Sequence, residues 1–203
     1  MPDFVTDADG RVPIAVFLSG RGSNFKALAD AAADPAYPAR IVLCLSDKAD
    51  AKGLDLARSL GIPAVSVARR EYDSRDAFDA AMEAHVLEAG AQLICLAGFM
   101  RILGRSFVER WQGRMINIHP SLLPAYRGLD THARALADGV AEHGVTVHLV
   151  TPELDDGPAL AQARVPVLAD DTPDTLAARV LAEEHTLYPA TLAAYLRGNL
   201  AKT

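Results

Sequence analysis

Apolar residues along the chain fall into short runs of strand length, separated by longer stretches with a helical period. Pro13 to Leu18 (PIAVFL), Arg40 to Leu45, Ile62 to Val67 and Gln92 to Ala97 (QLICLA) read as strands. The first and last of these are apolar throughout, as expected of strands covered on both faces of a parallel sheet. Helices are expected after Asn24, over Ala51 to Leu60 and over Arg75 to Ala89. In the third helix Phe78, Met82, Val86 and Leu87 make one apolar stripe, with His85 beside it and Ser74 in position to cap the first turn. A helix-like segment reaches Trp111. Met115 to His119 then alternates, so Asn117 and His119 project to one face and Ile116 and Ile118 to the other. Pro120, with no amide to give a ladder, ends that strand.

The second half continues with a short helix from Thr131 to Asp138 that carries His132. Val145 to Thr151 is an alternating strand with Thr146 and His148 on one face. Ala163 to Leu168 reads as a further strand. Thr172-Pro173 is an N-cap followed by proline at the first helical position. That helix is expected to end near Tyr188-Pro189, with a separate last helix closing at Gly198. Alternating strands and helices predict an α/β fold, a doubly wound, mostly parallel sheet with helices on both faces. It forms a single domain over residues 13–200, preceded by a disordered polar lead-in, residues 1–12.

Composition narrows the classes. Half of the 203 residues are apolar and 23% are charged, the balance of a globular domain large enough to bury its own core. No apolar run approaches the roughly 18 residues a membrane span needs, and the start lacks a signal-peptide pattern. The net charge of −6 without a dense basic tract argues against a nucleic-acid partner. The two cysteines, Cys44 and Cys95, sit inside strand runs and read as buried core residues in a reducing compartment. Neither a disulfide nor a metal site follows from them. The expected setting is cytoplasmic, with small-molecule partners, no membrane and a monomer or homodimer.

Three stretches carry candidate chemistry. Ser19 to Asn24 (SGRGSN) lies between a strand and a helix, where free helix amides attract an anion; the plain alternative is a capped tight turn. The dinucleotide fingerprint fails because Phe25 stands where its third glycine belongs, and a Walker loop lacks its Gly-Lys-Ser/Thr. Asp47 could mimic a ribose-binding acid or simply cap the next helix. Asn117 and His119 stand together where a strand stops, the edge at which open α/β sheets bind ligands. Leu154-Asp155-Asp156-Gly157-Pro158 is an acidic, turn-rich loop.

Together, N-I-H-P-S-L-L-P-A-Y-R-G, S-G-R-G-S-N and L-D-D-G-P make the chain resemble the folate-dependent formyltransferases over Ile14 to Gly198. The likeness is to members that formylate the amino group of glycinamide ribonucleotide in purine biosynthesis. It implies a Rossmann-like formyltransferase fold and 10-formyltetrahydrofolate as co-substrate, with no metal. By motif it implies Asn117, His119 and Asp155 as the catalytic trio. Gly22, Ser23, Asn24 and Glu184 are implied to hold the ribonucleotide. Arg75, Met100, Arg101, Ile102, Leu103, Asn117 and Thr151 are implied to hold the folate. Asp155 is preferred to its neighbour Asp156, and His132 and His148 rank as supporting residues. Arg21 inside the glycine loop and Asp156 depart from the family pattern. A formyltetrahydrofolate deformylase, or a formyltransferase with another acceptor, is the alternative. A transfer-RNA formyltransferase would carry a further basic domain, and a nicotinamide dehydrogenase would leave the trio unexplained.

Overall fold

The computed structural model describes residues 2–200. Its centre is one seven-stranded sheet: β1 (Val12–Leu18), β2 (Ala39–Ser46), β3 (Ala64–Ser66), β4 (Leu93–Leu96), β5 (Met115–His119), β6 (Glu142–Leu149) and β7 (Ala159–Pro166). The strands lie in the order β3-β2-β1-β4-β5-β6-β7. The first five run parallel, while β6 pairs antiparallel with β5 and β7 antiparallel with β6. Helices α1 (Ser23–Ala32), α2 (Lys52–Ser59), α3 (Arg75–Glu88), α4 (Arg105–Arg110), α5 (Thr131–Ala137) and α6 (Pro173–Leu196) connect and cover them.

The alternation of β1 splits the core in two. Ile14, Val16 and Leu18 meet Phe25 and Leu28 of α1, Leu54 of α2, and Leu176, Tyr188 and Leu192 of α6. Ala15 and Phe17 meet Phe78, Met82 and Val86 of α3 and Phe107 of α4 on the opposite face. Both faces of the central strands are thus dry, which is why their sequences read as unbroken apolar runs. At the half-covered edge, β7 alternates exposed and partly buried positions.

One expectation changes. The two closing helices are one helix, α6, with Pro189 inside it. Proline removes one helical hydrogen bond and crowds the preceding turn. Tyr188 before it and Leu192 and Tyr195 after it are buried on the same core, so packing carries the helix through. Along the polar lead-in several side chains make contacts. Asp7 accepts the amides of Asp9 at 2.9 Å and Arg11 at 3.0 Å and pairs with Arg40 at 2.6 Å. Phe4 sits edge-on to Tyr195 with ring centres 6.1 Å apart. Among the described residues no helix is long and apolar enough to cross a membrane.

Candidate functional site

The order of strands reverses between β1 and β4, and the loops leaving their carboxyl ends face one crevice, the position at which doubly wound sheets bind ligands. After β1, Gly22 is the left-handed N-cap of α1 with φ 81°, and no side chain caps the helix. A Cβ on Gly22 would stand 2.8 Å from the Gly53 backbone, so glycine is required by conformation and by space alike. The first amides of α1 remain without helical partners and point outward from its start. Asn24 reaches across to α6 and donates through Nδ2 to Glu184 at 2.6 Å. Burial holds the Glu184 carboxyl above the usual carboxylate range, and the Asn24 bond opposes that rise. Ser23, Lys26, Ala27, Asp30 and His185 line an open depression of 390 Å³ beside this pair. Arg21 is exposed.

At the end of β4 the chain passes through Gly98 and Phe99 into Met100–Leu103. Phe99 and Leu103 are buried, whereas Met100 and Ile102 are 64% and 61% exposed, an apolar lip on the crevice. The Met100 amide donates to Ser19 Oγ at 2.8 Å, which ties this segment to the end of β1. Asp47 neither caps α2, whose N-cap Ala51 has no side-chain bond, nor stands free. Its carboxylate accepts from Ser19 Oγ at 2.5 Å and Arg101 Nε at 2.7 Å. Arg75 opens α3 behind its cap Ser74. Its Cδ lies 3.7 Å from the place a Cβ would occupy on Gly104, which puts it at the far end of the Met100–Leu103 segment.

The catalytic candidates come together at the end of β5. Strand alternation puts Asn117 and His119 on one face. The antiparallel register sets His148 opposite Asn117 and Thr146 opposite His119. His148 Nδ1 lies 2.9 Å from the Leu149 carbonyl, which can only accept, so the proton is on Nδ1. Nε2 is then free to accept from Asn117 Nδ2 at 3.1 Å. Burial pushes the His148 pKa below the ordinary histidine value, in keeping with a neutral ring. One N–H of the Asn117 amide is used in this way and the other is left to point elsewhere.

His119 is fixed by the same reasoning. Its Nε2 donates to the Tyr126 carbonyl at 2.9 Å, which leaves Nδ1 facing Asp155 Oδ2 at 3.5 Å. A proton on Nδ1 would complete an ion pair there. Asp155 has φ 49°, a left-handed backbone that turns its side chain inward from the loop. Its Oδ2 accepts from the Gly128 amide at 2.9 Å, and Oδ1 lies 3.7 Å from His148 Nε2. Asp156 points the other way and pairs with Arg127 at the surface, so of the two aspartates it is Asp155 that faces His119 and His148. Gly157 lets the loop lie against β6, since a Cβ there would fall 1.7 Å from the Leu149 carbonyl oxygen.

The structure therefore brings Asn117, His119 and Asp155 into one cluster, and Asn24 onto Glu184. The Met100–Leu103 segment lies against the glycine loop through Ser19. Thr151 heads the acidic loop, donates to the Glu153 carbonyl at 3.2 Å and borders a second depression of 210 Å³ with Val108, Glu109 and Gln112. The place of His148, ranked as a supporting residue, is beside Asn117. Its alternation with Thr146 was visible, but the antiparallel pairing that sets it against Asn117 was not. His132 and His143 stack edge to face beneath this region, 5.2 Å apart. Burial lowers both, His143 to about 4. Among the described residues no three His, Cys, Asp or Glu side chains stand together as a ligand set for a metal ion.

The formyl transferase family pattern matches residues 12–192. The chain is 44% identical to the phosphoribosylglycinamide formyltransferase of Escherichia coli (strain K12), over 92% of this chain and 88% of that protein. It is equally 44% identical to the trifunctional purine biosynthetic protein adenosine-3 of Bos taurus, over 88% of this chain but 18% of that protein. The crystal structure of glycinamide ribonucleotide transformylase 1 from Symbiobacterium toebii superposes with a TM-score of 0.92 at 40% identity, covering 100% of this chain and 95% of that one.

Proposed function

The chain belongs to the formyl transferase family, and we propose that it transfers a formyl group to the amino group of glycinamide ribonucleotide, with 10-formyltetrahydrofolate as donor. The acceptor is the one named by its relatives. The observation that carries the reading is the cluster at the end of β5, where an amide, two imidazoles and a carboxylate stand within reach of one another.

The folate supplies an activated formyl group, and the residues supply the rest. When an amine attacks that carbon, negative charge grows on the formyl oxygen and a proton must leave the nitrogen. The uncommitted N–H of Asn117 is the donor for the oxyanion, and such a preorganised donor is worth about 3 kcal/mol. His148 holds it in that orientation. His119, on the same strand face two residues on, contributes positive charge when Nδ1 is protonated. Its Nε2 already donates to Tyr126, so Nδ1 is the other position from which the ring can give a hydrogen bond. Asp155 orients that ring and, through Oδ1, offers a carboxylate oxygen to the departing amine proton, directly or by way of water. Release of the formyl carbon from the folate nitrogen would need a proton on that nitrogen, and the proton that Asp155 takes from the amine is available to be returned there, directly or through water.

Gly22, Ser23 and Asn24 suit the phosphoribosyl end of the acceptor, because unpaired helix amides favour a phosphate. Buried Glu184 can receive ribose hydroxyls on the oxygen Asn24 leaves free. Exposed Met100 and Ile102, on the segment that also carries Arg101 and Leu103 and that Arg75 approaches at Gly104, suit a flat heteroaromatic ring with a carboxylate tail, and Thr151 heads the acidic loop that follows β6. A spectrophotometric assay of 10-formyltetrahydrofolate with and without glycinamide ribonucleotide tests the reading. Cofactor conversion that requires the ribonucleotide and yields its formylated product is expected, whereas ribonucleotide-independent release of formate would mean a deformylase. His119→Ala and Asp155→Asn should each lower kcat by orders of magnitude while folate binding persists. Wild-type turnover in both variants would remove the trio from the chemistry.

A further inference from the structure

The Met100–Leu103 segment has no helix or strand of its own, yet each end is tied to a buried carboxylate on a different element. At its start, Asp47 at the end of β2 has a side chain fully shielded from solvent. It accepts from Ser19 Oγ at 2.5 Å and from Arg101 Nε at 2.7 Å. The same Ser19 oxygen receives the Met100 amide at 2.8 Å, and the Ser19 amide returns a bond to the Gly98 carbonyl at 3.1 Å. At the other end Asp79, in the second turn of α3 and 3% exposed, accepts the Gly104 amide at 2.6 Å. A Cβ on Gly104 would stand 2.7 Å from that carboxylate, so glycine is what lets the chain approach so closely. The second Asp79 oxygen is buried and has no partner among the described residues.

Burying two carboxylates costs free energy, and neither contributes to the apolar core around it. An unpaired buried oxygen costs more still. Their common product is a short aperiodic segment held at both ends, with Phe99 and Leu103 driven inward and Met100 and Ile102 presented outward. We infer that Asp47, acting through Ser19 and Arg101, and Asp79, acting through Gly104, are positioning residues that preset the Met100–Leu103 segment in its ligand-receiving shape. This rests on the proposal that the segment holds the folate. Neither aspartate need touch the ligand. Each removes conformational freedom that binding would otherwise have to remove.

Asp47→Asn sets an amide N–H against one of two donors, Ser19 Oγ–H or the Arg101 guanidinium. Asp79→Ala removes the acceptor of the Gly104 amide, and Asp79→Asn restores an acceptor without the charge. The test measures dissociation constants for 5,8-dideazafolate and, separately, for glycinamide ribonucleotide, together with Tm, in the full chain. Asp47→Asn and Asp79→Ala should weaken folate-analogue binding by roughly tenfold or more, the loss expected for a charge-assisted bond. Ribonucleotide binding should stay unchanged and Asp79→Asn should recover most of the folate affinity. Should Asp47→Asn fail to fold, Ser19→Ala removes the same link and carries the same expectation. Equal weakening of both ligands in step with Tm, or unaltered folate affinity, would overturn the positioning role. A wild-type chain that binds the ribonucleotide but not the folate analogue would instead overturn the assignment of the segment, and the inference with it.

Discussion

Replacing His148 by Phe keeps a planar ring of similar size in a site that is 2% exposed and deletes both nitrogens. Two partners lose their bond: the Leu149 carbonyl at 2.9 Å and the Asn117 amide at 3.1 Å. The first loss falls on the fold. The second frees the amide that is proposed to face the oxyanion, and losing the orientation of a half-buried donor of this kind costs about 2 kcal/mol. At about 2 kcal/mol, with tenfold in rate for each 1.36 kcal/mol, kcat should fall roughly thirtyfold. The ribonucleotide KM should change little, because the proposed contacts of that substrate do not include His148 or Asn117. Steady-state kinetics at saturating folate and ribonucleotide, with Tm as a check on folding, read this out. The pH profile gives a second sign. The His148 pKa is lowered by burial, so the neutral ring persists into mildly acid solution. Below its pKa a proton on Nε2 would confront the Asn117 N–H, donor against donor, and wild-type kcat should drop. A Phe variant that retains wild-type kcat in a folded chain would refute the orienting role.

Three further outcomes follow from the same geometry. Asn24→Ala leaves Glu184 buried without its 2.6 Å partner and should cost about 1–3 kcal/mol in urea unfolding. It should also raise the ribonucleotide KM more than the folate KM; the reverse order would count against the phosphate-end assignment. Gly157→Ala puts a Cβ 1.7 Å from the Leu149 carbonyl oxygen and must displace the loop two residues after Asp155. Misplacement on that scale can cost about 100-fold, so a wild-type kcat would mean that the loop position is not critical. His143, held to about 4 against the usual 6.5, takes up a proton in the unfolded chain before the folded one as pH falls. Stability should therefore decline with falling pH across that window. His143→Gln should show a shallower decline in urea midpoint than the wild type. The raised carboxyls of Glu184 and Asp79 titrate in both chains and cancel in the comparison. Equal slopes would refute the assignment.

The sequence by itself determined the elements and their class. Unbroken apolar runs such as PIAVFL and QLICLA can be hidden only inside a sheet covered on both faces, and the period of α3 was legible in Phe78, Met82 and Val86. Turn chemistry and alternation also exposed the glycine loop and the strand end carrying Asn117 and His119. What tertiary structure decided was every relation between segments distant along the chain. Pro189 reads locally as a helix end, yet buried Tyr188 and Tyr195 on either side keep α6 whole. Asp155 and Asp156 are equivalent in sequence, and only the left-handed backbone at Asp155 turns one inward to His119 and leaves the other to Arg127. His148 becomes a partner of Asn117 through an antiparallel register, and Asp47 and Asp79 reach Ser19, Arg101 and Gly104 through the packing of separate strands and helices. Local patterns report which face a residue takes. They hold no record of which residue it will face, because that is set by the long-range burial that assembles the sheet.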